Sequence, residues 1–304
     1  MRPRVTRLLG LSRTVADLAR TEAFYRDGLD FRRLGPVERI PSAVLDALGL
    51  PEASGGRLRM GLGDQSIEFL AFDTPGQRYP IGALANDPWF QHAAIVVADM
   101  NRAVARLDAF APVPISRGGP QRLPPTSGGV TAWKFRDPDG HPLELLAFPE
   151  GAGARRWAEA PGLFRGIDHS AITVADAESA IAFFRDALGL HLDGRSRNSG
   201  HEQAALDGLD EPVVDVIALR PDAEAVPHVE LLHYRAPVPT AARRPFTARD
   251  RFTSRLRFGL RDLPALRDRL ARDWPHVPLH AARDGSVIGL AGPDAHGILL
   301  IAEG

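Results

Sequence analysis

The stretch Ala93-Ala94-Ile95-Val96-Val97-Ala98-Asp99 decides the fold, because it recurs. Ser170-Ala171-Ile172-Thr173-Val174-Ala175-Asp176 is a second copy. Leu11-Ser12-Arg13-Thr14-Val15-Ala16-Asp17 and Leu256-Arg257-Phe258-Gly259-Leu260-Arg261-Asp262 are more distant ones. Each is an apolar strand stopped by an aspartate, whose carboxylate suits a helix N-cap because it accepts the orphan N–H groups of the first turn. Apolar residues then recur at helical spacing: Leu18, Phe24 and Tyr25; Met100, Val104 and Leu107; Ala180, Ile181 and Phe184; Leu263, Leu266 and Leu270.

Each copy closes with another strand: Ile67–Phe72, Leu143–Phe148, Val229–Tyr234 and Ile298–Ala302. Two of these follow turns, Asp137-Pro138-Asp139-Gly140-His141 and Gly292-Pro293-Asp294-Ala295-His296. Proline presets φ there, and Gly140 accepts the positive φ that ends such a turn. Arg57–Leu62, Val130–Phe135, Val213–Leu219 and Ser286–Leu290 supply further strands. The unit therefore reads βαβββ. Its caps, Asp17, Asp99, Asp176 and Asp262, recur about every 80 residues, too long for a solenoid and right for a duplicated small module. The expected fold class is α+β, four βαβββ modules forming two curved mixed-sheet half-barrels. The expected division is a half over 1–150 with modules 1–73 and 88–150, a linker over 151–163, and a half over 164–304 with modules 164–236 and 252–304. The connection 236–252 carries Arg243, Arg244, Arg249 and Arg251 and reads as a solvated loop, with an anion-binding rim as the alternative. The Pro-rich stretch between Gly118-Gly119 and Gly128-Gly129 reads as a hairpin connector, with a pocket lid as the alternative.

Composition narrows the chemistry. With 304 residues, 44% of them hydrophobic, the chain can bury a substantial core. A formal charge of −1 argues against a nucleic-acid partner, which needs a basic face. No apolar run is long enough to span a membrane, and the N-terminal residues lack a secretory apolar core, so a cytoplasmic location is expected. The absence of cysteine excludes disulfides, thiolate metal sites and Cys nucleophiles. Lys134 is the only lysine, so Schiff-base chemistry is confined to that position.

Seven residues before each cap stand Gly10, His92, His169 and Arg255; second in each closing strand stand Glu68, Glu144, Glu230 and Leu299. A carboxylate between apolar neighbours in a strand either faces a wet hollow or is paired, since burying it bare is prohibitive. A lone histidine on an apolar strand is usually a satisfied core residue. Here the same offset recurs in two modules, each matched by a closing glutamate, which points to a metal. Glu68, with no partner histidine, has an arginine ion pair as its competing reading. His141 and His296 lie in turns and read as structural or exposed. His201 and His233 have no repeated counterpart. Trp89, Phe90 and Trp133 read as core, with lining of the cup as the alternative.

The βαβββ repeat, the first-strand histidine, the turn Asp137-Pro138-Asp139-Gly140-His141-Pro142 and the glutamate in Leu143-Glu144-Leu145 together resemble the vicinal oxygen chelate superfamily. That group includes glyoxalase I, methylmalonyl-CoA epimerase, extradiol dioxygenases and the bleomycin- and fosfomycin-resistance proteins. The resemblance implies paired modules whose curved sheet cups a divalent metal, each module giving one first-strand and one last-strand ligand. Pairing modules two with three and one with four puts His92, Glu144, His169 and Glu230 in one complete site. Pairing one with two and three with four leaves two damaged sites. The first arrangement is favoured because it segregates function from decay. Zn, Fe, Mn and Ni all suit such ligands. The implied activity is that of a metal-dependent lyase or isomerase holding a small substrate through two oxygens, with Glu144 or Glu230 as general base. An extradiol-type dioxygenase and a metal-free drug-sequestering protein are the alternatives. The expected partner is a small-molecule substrate, with no nucleic acid and no membrane, and the chain acts as a monomer or homodimer.

Overall fold

A computed structural model describes residues 4–151, 155–221, 226–241 and 245–303. Module one contains β1 (Arg7–Thr14), α1 (Leu18–Ala23), β2 (Arg32–Arg33), β3 (Glu38–Arg39), α2 (Ser42–Ala47), β4 (Gly55–Leu62) and β5 (Gln65–Phe72). Module two contains β6 (Gln91–Val97), α3 (Met100–Leu107), β7 (Val113–Pro114), β8 (Gln121–Arg122), β9 (Thr131–Arg136) and β10 (Pro142–Ala147). After α4 (Arg155–Glu159), module three contains β11 (Phe164–Thr173), α5 (Ala177–Ala182), β12 (His191–Ser199), α6 (His201–Asp207), β13 (Val213–Arg220) and β14 (His228–Ala236). Module four contains β15 (Ser254–Leu260), α7 (Leu263–Asp273), β16 (Leu279–Ala281), β17 (Val287–Ala291) and β18 (Gly297–Ala302). All four aspartates cap their helices: Asp17 accepts from the N–H of Ala19 and Arg20, Asp99 from Arg102, Asp176 from Ser179 and Asp262 from Ala265. No described helix is long and apolar enough to cross a membrane.

The modules assemble into two nine-stranded mixed sheets. Within each module the first and last strands run parallel, as in β1·β5 and β6·β10. Between modules the first strands meet antiparallel, β1 with β15 and β6 with β11. Sheet one therefore joins modules one and four, sheet two joins modules two and three, and each sequence half is divided between the sheets. Side chains alternate across a strand. Leu11, Ile67 and Leu256 enter one large core with Ile95, Ile172 and the four repeat helices. Their neighbours Ser12, Glu68 and Arg255 face the opposite, concave side. Sequence-adjacent modules touch through this core, with Phe24 edge-on to Phe110 at 5.8 Å and Phe183 to Trp274 at 5.5 Å.

The turns lock the modules together. His141 and His296 are buried rather than exposed, and each Nε2 lies 2.8 Å from a backbone carbonyl of the preceding module, that of Thr14 or Thr173. Asp139 and Asp294 accept the equivalent N–H groups of Ala16 and Ala175. The connections are not solvated tethers either. Gly76 N–H donates to the Arg249 carbonyl, and Asp250 accepts the N–H groups of Gln77 and Thr247, so Arg249 and Arg251 are half-buried. Arg243 and Arg244 lie outside the described residues.

Two differences from the sequence reading bear on the site. First, α2 and α6 are inserted before the last two strands of modules one and three and cross onto the partner module, α2 on β16 and β17, α6 on β8 and β9. At six or seven residues they are too short to carry a helical period. Second, Gly10 is more than a vacant histidine position. Its φ is +125° beside a bulge in β1, and a Cβ there would fall 1.9 Å from the Ser66 carbonyl oxygen.

Two outcomes follow from these contacts. Gly10→His is expected to lower unfolding free energy by about 2–4 kcal/mol rather than restore a ligand, read from urea unfolding. His141 is held down to about 3 by burial, and next by the Arg13 charge, while Asp139 acts the other way. An unfolded imidazole titrates near ~6.5. Between these values the unfolded chain binds more protons, so the contribution of His141 is fully present above the higher value and is lost as pH falls below it. The slope approaches ~1.4 kcal/mol per pH unit. His141→Gln should flatten that acid-side slope in unfolding curves taken between neutral pH and pH ~5.

Candidate functional site

The concave face of sheet two carries two short rows of paired residues. Glu144 pairs with Ala94, which pairs with His169; Glu230 pairs with Ala171, which pairs with His92. The rows are related by the antiparallel β6·β11 seam, so each glutamate lies across a small alanine from the other module's histidine. The two alanines leave room over the sheet, and the four larger side chains fill it.

The structure brings the four sequence-nominated residues together. His92 Nε2 lies 2.8 Å from Glu144 Oε2 and 3.3 Å from His169 Nε2. His169 Nε2 lies 3.7 Å from Glu144 Oε2 and 3.4 Å from Glu230 Oε2. His92, Glu144 and His169 form a tight, buried trio of potential ligands, and Glu230 attaches through His169. Donors bonded at ~2.1 Å to a first-row ion stand roughly 3.0–3.4 Å from one another. Two of the four contacts, at 3.3 and 3.4 Å, fall in that range, and the donor types suit a borderline divalent cation.

Several participants carried no repeat signal. Asp168 Oδ2 lies 3.0 Å from His169 Nδ1 and is itself held by the Trp157 indole N–H. This is the outer-shell support a ligating histidine needs. His92 lacks the counterpart, since its Nδ1 is buried with no partner. His228 Nε2 lies 3.3 Å from Glu230 Oε1 and fixes that carboxylate from the next position on the same strand face. Lys134, opposite Glu144 on β9, is buried with its Nζ 2.6 Å from Asp207 Oδ1 on α6. Asp207 also accepts from Gln203 and from the Tyr234 hydroxyl. Asp168 is adjacent to His169, and His228 is two residues from Glu230, so spacing could have flagged both. Nothing local links Lys134 to Asp207.

Burial and mutual contacts set the electrostatics of the cluster. Burial is the largest influence on His92 and lowers its pKa. Burial also opposes ionisation of His169, but Glu230, Asp168 and Glu144 outweigh it and hold that imidazole well above its ordinary value. Burial would raise Glu144, yet Lys134 and the two histidines hold it well below the usual carboxylate range. Asp168, against burial, is brought down to about 2 chiefly by His169. Three carboxylates, those of Glu230, Asp168 and Glu144, thus surround the His169 imidazole.

The other nominated residues lie elsewhere. Glu68 is in sheet one, 3.3 Å from Arg57 and 4.0 Å from Arg257, with no histidine among these partners. Trp133 stacks on Phe135 in the main core, and Phe90 packs beside Ala171 and Tyr234 in the cup. His201 opens α6, and His233 Nδ1 lies 3.3 Å from the Val174 carbonyl. The stretch after Gly118-Gly119 covers part of the cup: Leu123 packs against Leu206 of α6. Removing one partner of a buried ion pair strands the other charge. Lys134→Met should therefore cost ~3–5 kcal/mol in urea unfolding, and Lys134→Met with Asp207→Leu distinctly less.

The family model described as Glyoxalase/Bleomycin resistance protein/Dioxygenase superfamily matches residues 7–145 and 166–302. No curated protein matches the sequence. Glyoxalase I from Zea mays superposes with a TM-score of 0.64 at 16% identity, over 97% of this chain and 92% of that one. A point mutant of the same enzyme gives 0.66 at 16% identity, over 97% and 93%. A putative dioxygenase from Bacillus subtilis gives 0.61 at 15% identity, over 99% and 86%. At these identities the structural likeness is one of fold. With the family model matching nearly the whole chain, the protein belongs to the glyoxalase/bleomycin resistance protein/dioxygenase superfamily.

Proposed function

We propose that this chain is a metal-dependent lyase or isomerase that holds a small substrate through two neighbouring oxygens and moves a proton on it. The observation that carries the reading is the convergence of His92, Glu144, His169 and Glu230 in one cluster, with the two imidazole Nε2 atoms 3.3 Å apart. These four residues would hold the cation. When bound, it supplies Lewis-acid polarisation of the substrate oxygens. The chain's own residues divide the remaining work. Glu144 is the anchor, because two histidines and Lys134 surround its carboxylate and hold it ionised. Glu230 is the base: its side chain is 19% exposed against 7% for Glu144, so it has the freer approach to a carbon-bound proton. His228 orients that carboxylate through Oε1, and Oε2, which lies 3.4 Å from His169 Nε2, would turn away from the cation to receive the proton. Asp168 holds the His169 ring in place.

A second reading, an extradiol-type dioxygenase, is favoured by one feature. The tight trio is two histidines and one carboxylate, the ligand set of non-haem Fe(II) oxygenases, and Glu230 is engaged by His228.

The deciding experiment is titration of Zn(II), Mn(II), Ni(II) and anaerobic Fe(II) into chelator-treated protein. Tight binding of a single ion is expected, weakened by at least about a hundredfold in His92→Ala and Glu144→Gln. Absence of stoichiometric binding, in protein with an unchanged circular dichroism spectrum, rejects the proposal. For the metal-loaded protein, proton exchange at carbon next to a carbonyl is expected, strongly reduced in Glu230→Gln. Oxygen consumption with catechols establishes the dioxygenase instead.

A further inference from the structure

Sheet one repeats the two rows of sheet two with different chemistry. In place of Glu144–Ala94–His169 it has Glu68–Ser12–Arg255, and in place of Glu230–Ala171–His92 it has Leu299–Arg257–Gly10. This cup is not filled. A cavity of about 460 Å³ opens over it, lined by Arg255, Ser254, Leu299, Trp89, Phe246 and Phe252. The size suits a small organic molecule.

The floor of the cavity is a buried cation. Arg255 is 3% exposed, and Gly297, its neighbour on β18, leaves space that a Cβ would take from its side chain. Its terminal nitrogens reach neutral acceptors: Thr14 Oγ1 at 2.9 Å, Thr253 Oγ1 at 3.1 Å and the Ala248 carbonyl at 3.4 Å. Among the described residues no carboxylate lies within ion-pair distance of it, and the one charge that acts on it is that of Glu68, across Ser12 in the same row. Burial is the main influence on its pKa and brings it to about 10, so the guanidinium stays protonated at neutral pH. The lining also holds two buried donors with no hydrogen-bond partner, Arg255 Nε and Trp89 Nε1, and one such acceptor, Gln91 Oε1. Such groups are costly to leave unmatched, about 1–3 kcal/mol each and more for a charged one. The carboxylate of the lining, Asp294, is occupied by the Ala175 N–H. Unmatched donors beside a buried cation call for an anion, and the phenylalanine and leucine walls call for an apolar body.

We infer that the cup of sheet one is a second binding site, independent of metal, for a small monocarboxylate with an aromatic or branched apolar body. The carboxylate meets Arg255 and Trp89, and the body packs on Phe252 and Leu299. The site shares no residue with the His92/Glu144 cluster, so it stands or falls separately from the proposed activity.

The test is calorimetric titration of the full chain, stripped of metal, with sodium benzoate, benzamide and inorganic phosphate. Benzoate is expected to bind one molecule per chain, benzamide at least about tenfold more weakly, and phosphate more weakly than benzoate. Arg255→Met should abolish the preference for benzoate over benzamide. Should that variant not fold, Trp89→Phe, which keeps the ring packing and removes the N–H, should weaken benzoate severalfold while leaving the circular dichroism spectrum unchanged. Benzoate affinity should be the same in Glu144→Gln as in the parent. The proposal is overturned by no benzoate binding at millimolar concentration, by equal affinity for benzamide, by phosphate matching benzoate, by a Trp89→Phe variant that binds as the parent does, or by loss of binding in Glu144→Gln.

Discussion

The antiparallel seam between β6 and β11 is the constraint on which the site depends. Its register places Ala94 opposite His169 and Ala171 opposite His92, and the parallel pairing within each module adds Glu144 and Glu230 to the same rows. A slip of one residue along this seam would send the histidines of one module to the far side of the sheet. The convergence of four polar side chains, each nominated by a different strand, is thus a property of one strand pair. Burial makes that register costly to lose, because the opposite face of the same strands enters the common core.

The duplicated scaffold puts different chemistry in its two cups. Sheet two brings two histidines and two glutamates into one cluster. Sheet one has lost both histidine positions, one of them irreversibly, since the backbone at Gly10 closes on the Ser66 carbonyl. What remains there is arginine-rich. Glu68 is balanced by Arg57 and Arg257, and Arg255 is left facing neutral acceptors beside an open cavity. The same backbone therefore supports a carboxylate-rich cup and a cation-rich one, consistent with the general rule that function resides in sites rather than in folds.

The inserted helices complete the electrostatics. Helix α6 belongs to module three, yet its Asp207 lies against Lys134 of module two, directly across β9·β10 from Glu144. Lys134 is thereby fixed between two carboxylates and adds to the field that keeps Glu144 ionised. A compact ammonium suits this enclosed position better than the broad fork of an arginine, in a chain that otherwise uses arginine for every basic residue. Tyr234 and Gln203 satisfy the remaining acceptor capacity of Asp207.

The repeat, the four aspartate caps, the first and last two strands of each module and the nomination of His92, Glu144, His169 and Glu230 were legible in the sequence, whereas β12 and the short edge strands were not. Each of the legible features is a local pattern, a periodicity of two or 3.6 or an offset counted from a cap, and local patterns survive translation into structure because they reflect backbone hydrogen bonding within a few residues. The family resemblance rested on the same motifs. The pairing of module two with module three could be favoured by reasoning about symmetry, but only the structure decided it, because strand partners about 75 residues apart leave no mark on local periodicity. For the same reason the burial of His141 and His296, the crossing of α6 onto β9, the Lys134–Asp207 pair and the unmatched donors around Arg255 had no sequence signature. Each of these depends on which surfaces meet, and that is set by the packing of the four modules around one core.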